Sequence, residues 1–233
     1  MSALFHPYLC GRNAAEWLIN MNNSTISYYE KNAREYFEKT CAGDMAERYA
    51  LLLARVPAGG RILDLGCGSG RDMKAFAAMG YEVYGLDACS NFCSLASEYS
   101  GRPVYQGDFL SWLPEDGLCF DGIWACASLL HLTEDELISY FRHAKKYLRP
   151  NGVICASFKT GVETGYDELG RFFTDFTDGL LAEILSKNRE YVLLTKTHSE
   201  DPQGRTGFLW TNCVFSFRDA GTNSKEETEC LNN

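Results

Sequence analysis

The chain has 233 residues, 45% of them hydrophobic and 23% charged, with a formal net charge of −9. That length suits one domain with a small cap, large enough to bury a core without disulfides or metals. The acidic balance argues against a broad phosphate-binding face, no apolar run nears the ~20 residues that span a bilayer, and no basic-then-apolar leader opens the chain, so no membrane partner and a cytoplasmic location are expected.

Residues 1–20 read as an N-terminal extension, and a fresh start is plausible at Met21. Over 24–56 the pattern is helical: Tyr28, Ala33, Tyr36 and Phe37 mark one stretch and Met45, Tyr49, Leu52 and Leu53 a second. Gly43-Asp44 supplies the break and an N-cap between them. After Pro57-Ala58-Gly59-Gly60 the character changes. A short strand is expected at 61–65, then a glycine turn and a helix at 72–79 closed by Gly80. Strands at 82–86, 103–106 and 120–125 follow, with a helix at 91–99. Thr133 with Glu136 three residues on is a capping box, and Leu137, Phe141, Ala144 and Leu148 form the stripe of a helix over 133–148. Arg149-Pro150-Asn151-Gly152 reads as a stop and turn before a strand at 153–158. Segments 191–197 and 208–217 are β-rich with no helix between them, an antiparallel pair finishing the sheet. The polar tail 220–233 is expected to fray. Alternation of strand and helix at these spacings predicts βαβ units and a parallel sheet. The ten cysteines include no CxxC pair and no Cys/His set at zinc spacing, so reduced thiols and no metal are expected.

The informative segment is Ile62-Leu63-Asp64-Leu65-Gly66-Cys67-Gly68-Ser69-Gly70-Arg71-Asp72. A strand feeding glycines at a helix N-terminus lets a ligand approach bare backbone. Dinucleotide folds space their glycines G-x-G-x-x-G, but Arg71 stands three residues after Gly68 and Met73 three after Gly70. A phosphate loop ending in Gly-Lys-Ser/Thr is also missing. What remains is an acid followed by G-x-G-x-G.

Asp64-Leu65-Gly66-Cys67-Gly68-Ser69-Gly70 resembles the first motif of class I S-adenosylmethionine-dependent methyltransferases. Four further matches follow in register: Asp87 closing Tyr84-Gly85-Leu86-Asp87, Gly107-Asp108-Phe109, the fourth-strand stretch from Phe120 through Ala125-Cys126-Ala127-Ser128 to His131, and Leu148-Arg149-Pro150-Asn151-Gly152. The resemblance implies an α/β, Rossmann-like, doubly wound seven-stranded sheet, mostly parallel with an antiparallel C-terminal strand and helices on both faces. It implies a methyltransferase domain over 57–219, an N-terminal helical cap over 21–56 and a lid insert over 159–178. It also implies S-adenosylmethionine as cofactor and S-adenosylhomocysteine as product, bound by Asp64, Gly66, Cys67 (through its backbone), Gly68 and Gly70. Asp87 with Ala88 would take the ribose hydroxyls, Asp108 and Phe109 the adenine, Ala125 and its loop the methionine end, and Tyr28 the carboxylate. Structural readings stand beside these: Asp64 as a cap of the glycine turn, Asp108 as an N-cap, Tyr28 as helix packing.

Methyl transfer asks a protein chiefly to align acceptor and methyl and to exclude water. His131 is the best candidate acid or base, with packing or capping of the next helix as the alternative. Ser128 is a weaker candidate for acceptor contact. Arg171, beside Phe172 and Phe173, offers either an anion-binding guanidinium or a solvated edge-strand arginine. The compact acidic chain favours a small-molecule O, N or S acceptor and disfavours nucleic acid. An enzyme acting on RNA or protein would show a basic face or an Asn/Asp-Pro-Pro-Tyr-type fourth motif, where this chain has Ala125-Cys126-Ala127-Ser128. A non-catalytic cofactor-binding subunit is a third reading, opposed by the intact glycines and acids. A monomer or a homodimer is expected.

Overall fold

In the computed structural model the described residues are 14–43, 45–201 and 205–218. Helix α1 (Ala14–Thr40) is followed by α2 (Ala46–Leu53), then β1 (Arg61–Leu65), α3 (Arg71–Ala78), β2 (Glu82–Asp87) and α4 (Ser90–Ser100). Next come β3 (Val104–Gln106), β4 (Phe120–Cys126), α5 (Glu134–Ala144), β5 (Leu148–Thr160) and a two-residue pair, β6 (Gly165–Tyr166) and β7 (Phe172–Phe173). Helix α6 (Asp178–Lys187), β8 (Tyr191–Ser199) and β9 (Leu209–Phe217) complete the order.

The seven-stranded sheet runs β3-β2-β1-β4-β5-β9-β8. Strands β1 to β5 pair in parallel, and β9 is antiparallel to both β5 and β8. Chain order reverses between β1 and β4, so a crevice opens beyond their C-terminal ends, where doubly wound folds bind ligands. Alternation along β1 sends Ile62 to one face and Leu63 and Leu65 to the other. On the first face Tyr49 and Leu52 of α2, Met73 and Phe76 of α3 and Ala96 of α4 pack with Val83 and Trp124. On the second, Leu137 and Phe141 of α5 and Leu180 and Ile184 of α6 pack with Ile154 and Phe215.

Three details depart from the expectations. Helix α1 runs unbroken across the boundary drawn at Met21, although residues 1–13 lie outside the described set, as do the Asp44 N-cap and the 220–233 tail. Leu148 is the first residue of β5 and not a fourth turn of α5, because Asn151 at φ 62° makes the expected turn a bulge within the strand. Helix α6 was not expected, though Thr177 caps it and Leu180, Leu181 and Ile184 mark its buried face.

The capping box of α5 is formed on both sides. Thr133 Oγ1 accepts from Glu136 N–H at 3.3 Å, and Glu136 Oε2 accepts from Thr133 N–H at 2.8 Å. Thr133→Ala is therefore expected to cost about 1 kcal/mol, lowering Tm by roughly 2–4 °C. Differential scanning calorimetry checks this, and an unchanged Tm would contradict it.

Candidate active site

The C-terminal ends of β1, β2 and β4, covered by α1, enclose a cavity with about 800 Å³ of unoccupied space, part of it open to solvent. Of the residues singled out in the sequence, Gly66, Gly68, Asp87, Ala88, Asp108, Phe109, Ser128 and His131 line it. Thr25, Ile26, Tyr29, Tyr36, Cys89, Phe92, Cys126, Ala127 and Leu132 complete the wall.

The glycine loop is shaped by close approach. Gly66 has φ +73°, and a Cβ there would meet Ser128 Cβ at 2.4 Å. Only a residue with no side chain lets β1 and the β4 loop come together with backbone exposed to the crevice. Asp87 closes β2 beside this loop, with Oδ2 accepting from Gly68 N–H at 3.0 Å and Oδ1 from Cys89 N–H at 2.9 Å. No cation pairs with it among the described residues. Burial pushes its carboxyl up to about 6.

Two buried oxygens at the loop have no partner among the described residues: Asp64 Oδ2, at the end of β1, and Ser128 Oγ. Burial, reinforced by the charge of Asp72, raises the Asp64 carboxyl well above its usual range. Ser128 lines the cavity, where an orphaned oxygen suits a ligand that donates hydrogen bonds, whereas the expected cofactor residue Asp64 is buried outside the cavity wall. Asp108 combines both of its readings: it lines the cavity, and its Oδ1 accepts from Leu110 N–H at 2.8 Å to cap the following turn.

Helix α1 forms the cover. Thr25, Tyr29, Ala33 and Tyr36 recur at helical spacing on its inner face, and Tyr29 and Tyr36 meet Phe92 of α4 at ring-centroid separations of 5.8 and 5.4 Å. The Glu30 carboxylate accepts from the N–H groups of Ser90 and Asn91, so α1 caps the N-terminus of α4. His131 joins cover and insert. Its Nδ1 is 2.6 Å from the Phe172 carbonyl oxygen, which only accepts, so Nδ1 carries the proton. Nε2 therefore accepts from the Tyr29 hydroxyl at 3.1 Å. Burial lowers the imidazole to about 4, and it is neutral near pH 7.

Several expected site residues lie elsewhere. Tyr28 is not in the cavity wall; one helical step from Tyr29, its ring packs beneath the Arg171 guanidinium at 5.0 Å. Arg171 is also outside the wall, because Asp167 engages it through Nε at 2.9 Å and Nη2 at 2.6 Å. Ala125 is buried within β4, and the next three residues reach the crevice in its place. Gly70 faces Ala96 of α4. Cys67 is buried with its N–H on the Leu86 carbonyl, and its sulfur packs over Gly85. Cys89 and Phe92 were missed, although they stand two and five residues beyond Asp87, where a helix must begin.

Asp87 and His131 bias stability in opposite directions. The Asp87 carboxyl binds a proton more readily when folded, so it adds stability as pH falls from about 6 toward 3.8. The His131 ring binds one less readily when folded, so it removes stability as pH falls from 6.5 toward about 4. Asp87→Asn should therefore steepen the loss of stability between pH 6.5 and 4.5. Urea titrations at stepped pH check this, and parallel profiles for variant and wild type would contradict it.

A doubly wound sheet with a glycine-lined, acid-flanked crevice at its switch point defines the class of nucleotide-type ligand folds. Residues 62–152 match the family model described as "Methyltransferase domain". That match spans less than half of the chain, over the segment from β1 to the start of β5 that frames the crevice. The chain is 33% identical over 107 residues to YqeM of Bacillus subtilis (strain 168), covering 43% of each chain. It is 33% identical over 105 residues to a ubiquinone biosynthesis O-methyltransferase of Ruegeria pomeroyi, covering 43% of this chain and 42% of that one. These matches thus span less than half of either relative. Among solved structures, the 1,6-didemethyltoxoflavin-N1-methyltransferase of Burkholderia thailandensis shares the fold with a TM-score of 0.69 at 20% identity, over 90% of this chain and 92% of that one. Among the described residues no helix is long and apolar enough to cross a membrane, and no cluster of His, Cys, Asp or Glu could hold a metal ion.

Proposed function

We propose that the protein transfers a methyl group from S-adenosylmethionine to an oxygen, nitrogen or sulfur atom of a small molecule by in-line displacement. The observation that carries this reading is the Asp87 carboxylate facing the cavity beside the bare backbone of Gly66 and Gly68. When bound, S-adenosylmethionine supplies a methyl group on a sulfonium, an electrophile with a good leaving group.

Asp87 is suited to accept from a cis-diol, since each of its oxygens has a lone pair left after the backbone N–H it holds. Asp108 and Phe109 offer a carboxylate and an apolar ring edge to a purine. The unpartnered Ser128 oxygen in the cavity wall is suited to a donor at the far end of the cofactor. Tyr29, Tyr36 and Phe92 cover the crevice and exclude water, which strengthens electrostatic contacts inside. His131, neutral and hydrogen-bonded on both nitrogens, positions Tyr29 and the insert. An imidazole near 4 is a weak base at neutral pH, so acceptors that attack without losing a proton first, thiolates and neutral amines, are favoured over alcohols.

The toxoflavin-precursor methyltransferase that shares the fold acts on a small molecule, and this together with the acidic charge of the chain supports a metabolite-sized acceptor. Arg171, expected at the acceptor, and Tyr28, expected at the cofactor's carboxylate, lie outside the cavity wall and have no part in this reading. Incubating the protein with S-adenosylmethionine labelled in its methyl group and a panel of thiols, phenols and amines tests the reading. Label should pass to at least one acceptor class; label retained wholly in the donor across the panel would overturn it.

A further inference from the structure

Behind His131 lies a second constellation of charge and aromatic rings, with Phe173 and Trp210 buried and Phe208 half-buried. Lys159, half-buried near the C-terminal end of β5, holds Nζ 3.9 Å from the Phe173 ring centroid, 4.8 Å from that of Phe208 and 5.9 Å from that of Trp210. Two arginines share this wall, Arg171 at 5.2 Å from Phe173 and Arg205 at 5.8 Å from Phe208. Both are matched. Asp167 engages Arg171 through two nitrogens, and Asp201 engages Arg205 through two, each contact at 2.8 Å. Asp201 is further held by Trp210 Nε1 at 2.9 Å. Among the described residues Lys159 Nζ has no carboxylate or carbonyl partner.

Three cations and two carboxylates leave one positive charge in surplus, and it rests on aromatic faces. Burial and the nearby charges of Arg171 and Arg205 push the Lys159 ammonium down to about 8, the behaviour of a cation short of a counter-ion. The surplus is close to the crevice: Phe173, which carries Lys159, also meets the His131 ring at a centroid separation of 4.8 Å. It also lies at the strand ends, the side where acceptors approach in this architecture.

We infer that Lys159 and the wall of Phe173, Phe208 and Trp210 form a recognition subsite for a carboxylate carried on a flat, unsaturated methyl acceptor. The rings favour a planar partner, and the single surplus charge matches a monoanion better than a phosphate dianion. Arg171 and Arg205 shape the subsite but are already paired, so Lys159 alone selects for charge. The inference rests on the small-molecule reading above and names the acceptor class for the same site.

Benzoate and its neutral isostere benzamide probe it. Ligand-observed NMR titrations of the full chain, with and without S-adenosylhomocysteine, should show benzoate binding at least ~10-fold more tightly. Lys159→Met should abolish that preference while leaving affinity for S-adenosylhomocysteine within about twofold. Lys159→Gln makes the same comparison should the methionine variant fail to fold. Equal binding of the two probes to the wild type, or a preference undiminished in the variant, would overturn the subsite. Benzoate preference in a protein that ignores S-adenosylhomocysteine would keep the subsite and remove the methyl-transfer reading, so the two failures are distinguishable.

Discussion

Asp87→Ala is expected to lower affinity for S-adenosylhomocysteine by ~100-fold, about 3 kcal/mol, whereas His131→Ala changes it by less than about fivefold. The difference follows from what each side chain holds. Asp87 binds the glycine loop through Gly68 N–H and the start of α4 through Cys89 N–H, and it faces the crevice where a ribose would lie. Its removal deletes charge-assisted acceptors and leaves two backbone donors without partners, each loss worth roughly 1–3 kcal/mol. His131 bonds to Tyr29 of the cover and to the Phe172 carbonyl of the insert. Its loss should loosen the cover and slow turnover before it weakens cofactor binding. Calorimetric titration of the two variants checks this, and equal losses would show that the division between cofactor pocket and cover is wrong.

Gly70→Ala carries the second large effect, on stability. Gly70 has φ +73° as the N-cap of α3, and its Cβ would stand 2.7 Å from Ala96 Cα and 2.9 Å from the Ala96 carbonyl oxygen. These are backbone atoms of α4 and cannot turn aside. The left-handed conformation costs ~1–2 kcal/mol for a residue with a side chain, and forcing α3 from α4 adds ~1–3 kcal/mol. A Tm lower by roughly 5–15 °C is expected for a chain of this size. A Tm within about 1 °C of wild type would mean that the loop is packed differently.

The sheet and the crevice were legible because their sequence signals are local. An apolar run ending in Asp64-Leu65-Gly66-Cys67-Gly68 makes sense only as a strand entering a turn that needs bare backbone, and Asp87 follows from the same logic one strand later. Errors gathered where side-chain direction depends on docking. Tyr28 and Tyr29 are indistinguishable by type; the face that α1 turns inward is fixed by Glu30 reaching the start of α4, sixty residues away in sequence. Arg171 looked available because its partner Asp167, four residues earlier, reaches it only once the β6–β7 hairpin has formed. Leu148 continued the stripe of α5 at the right interval, but the helix had already ended at Ala144. The surplus charge at Lys159 had no local sign at all, since it depends on residues from β5, β7 and the approach to β9 meeting at one edge.

The central claim is that the crevice between β1 and β4 holds an adenosyl cofactor. Isothermal titration of the full chain with S-adenosylhomocysteine addresses it most directly. A saturable heat for one site per chain, lost in Asp87→Ala, is the predicted result. A folded sample that gives no heat at millimolar ligand would contradict it.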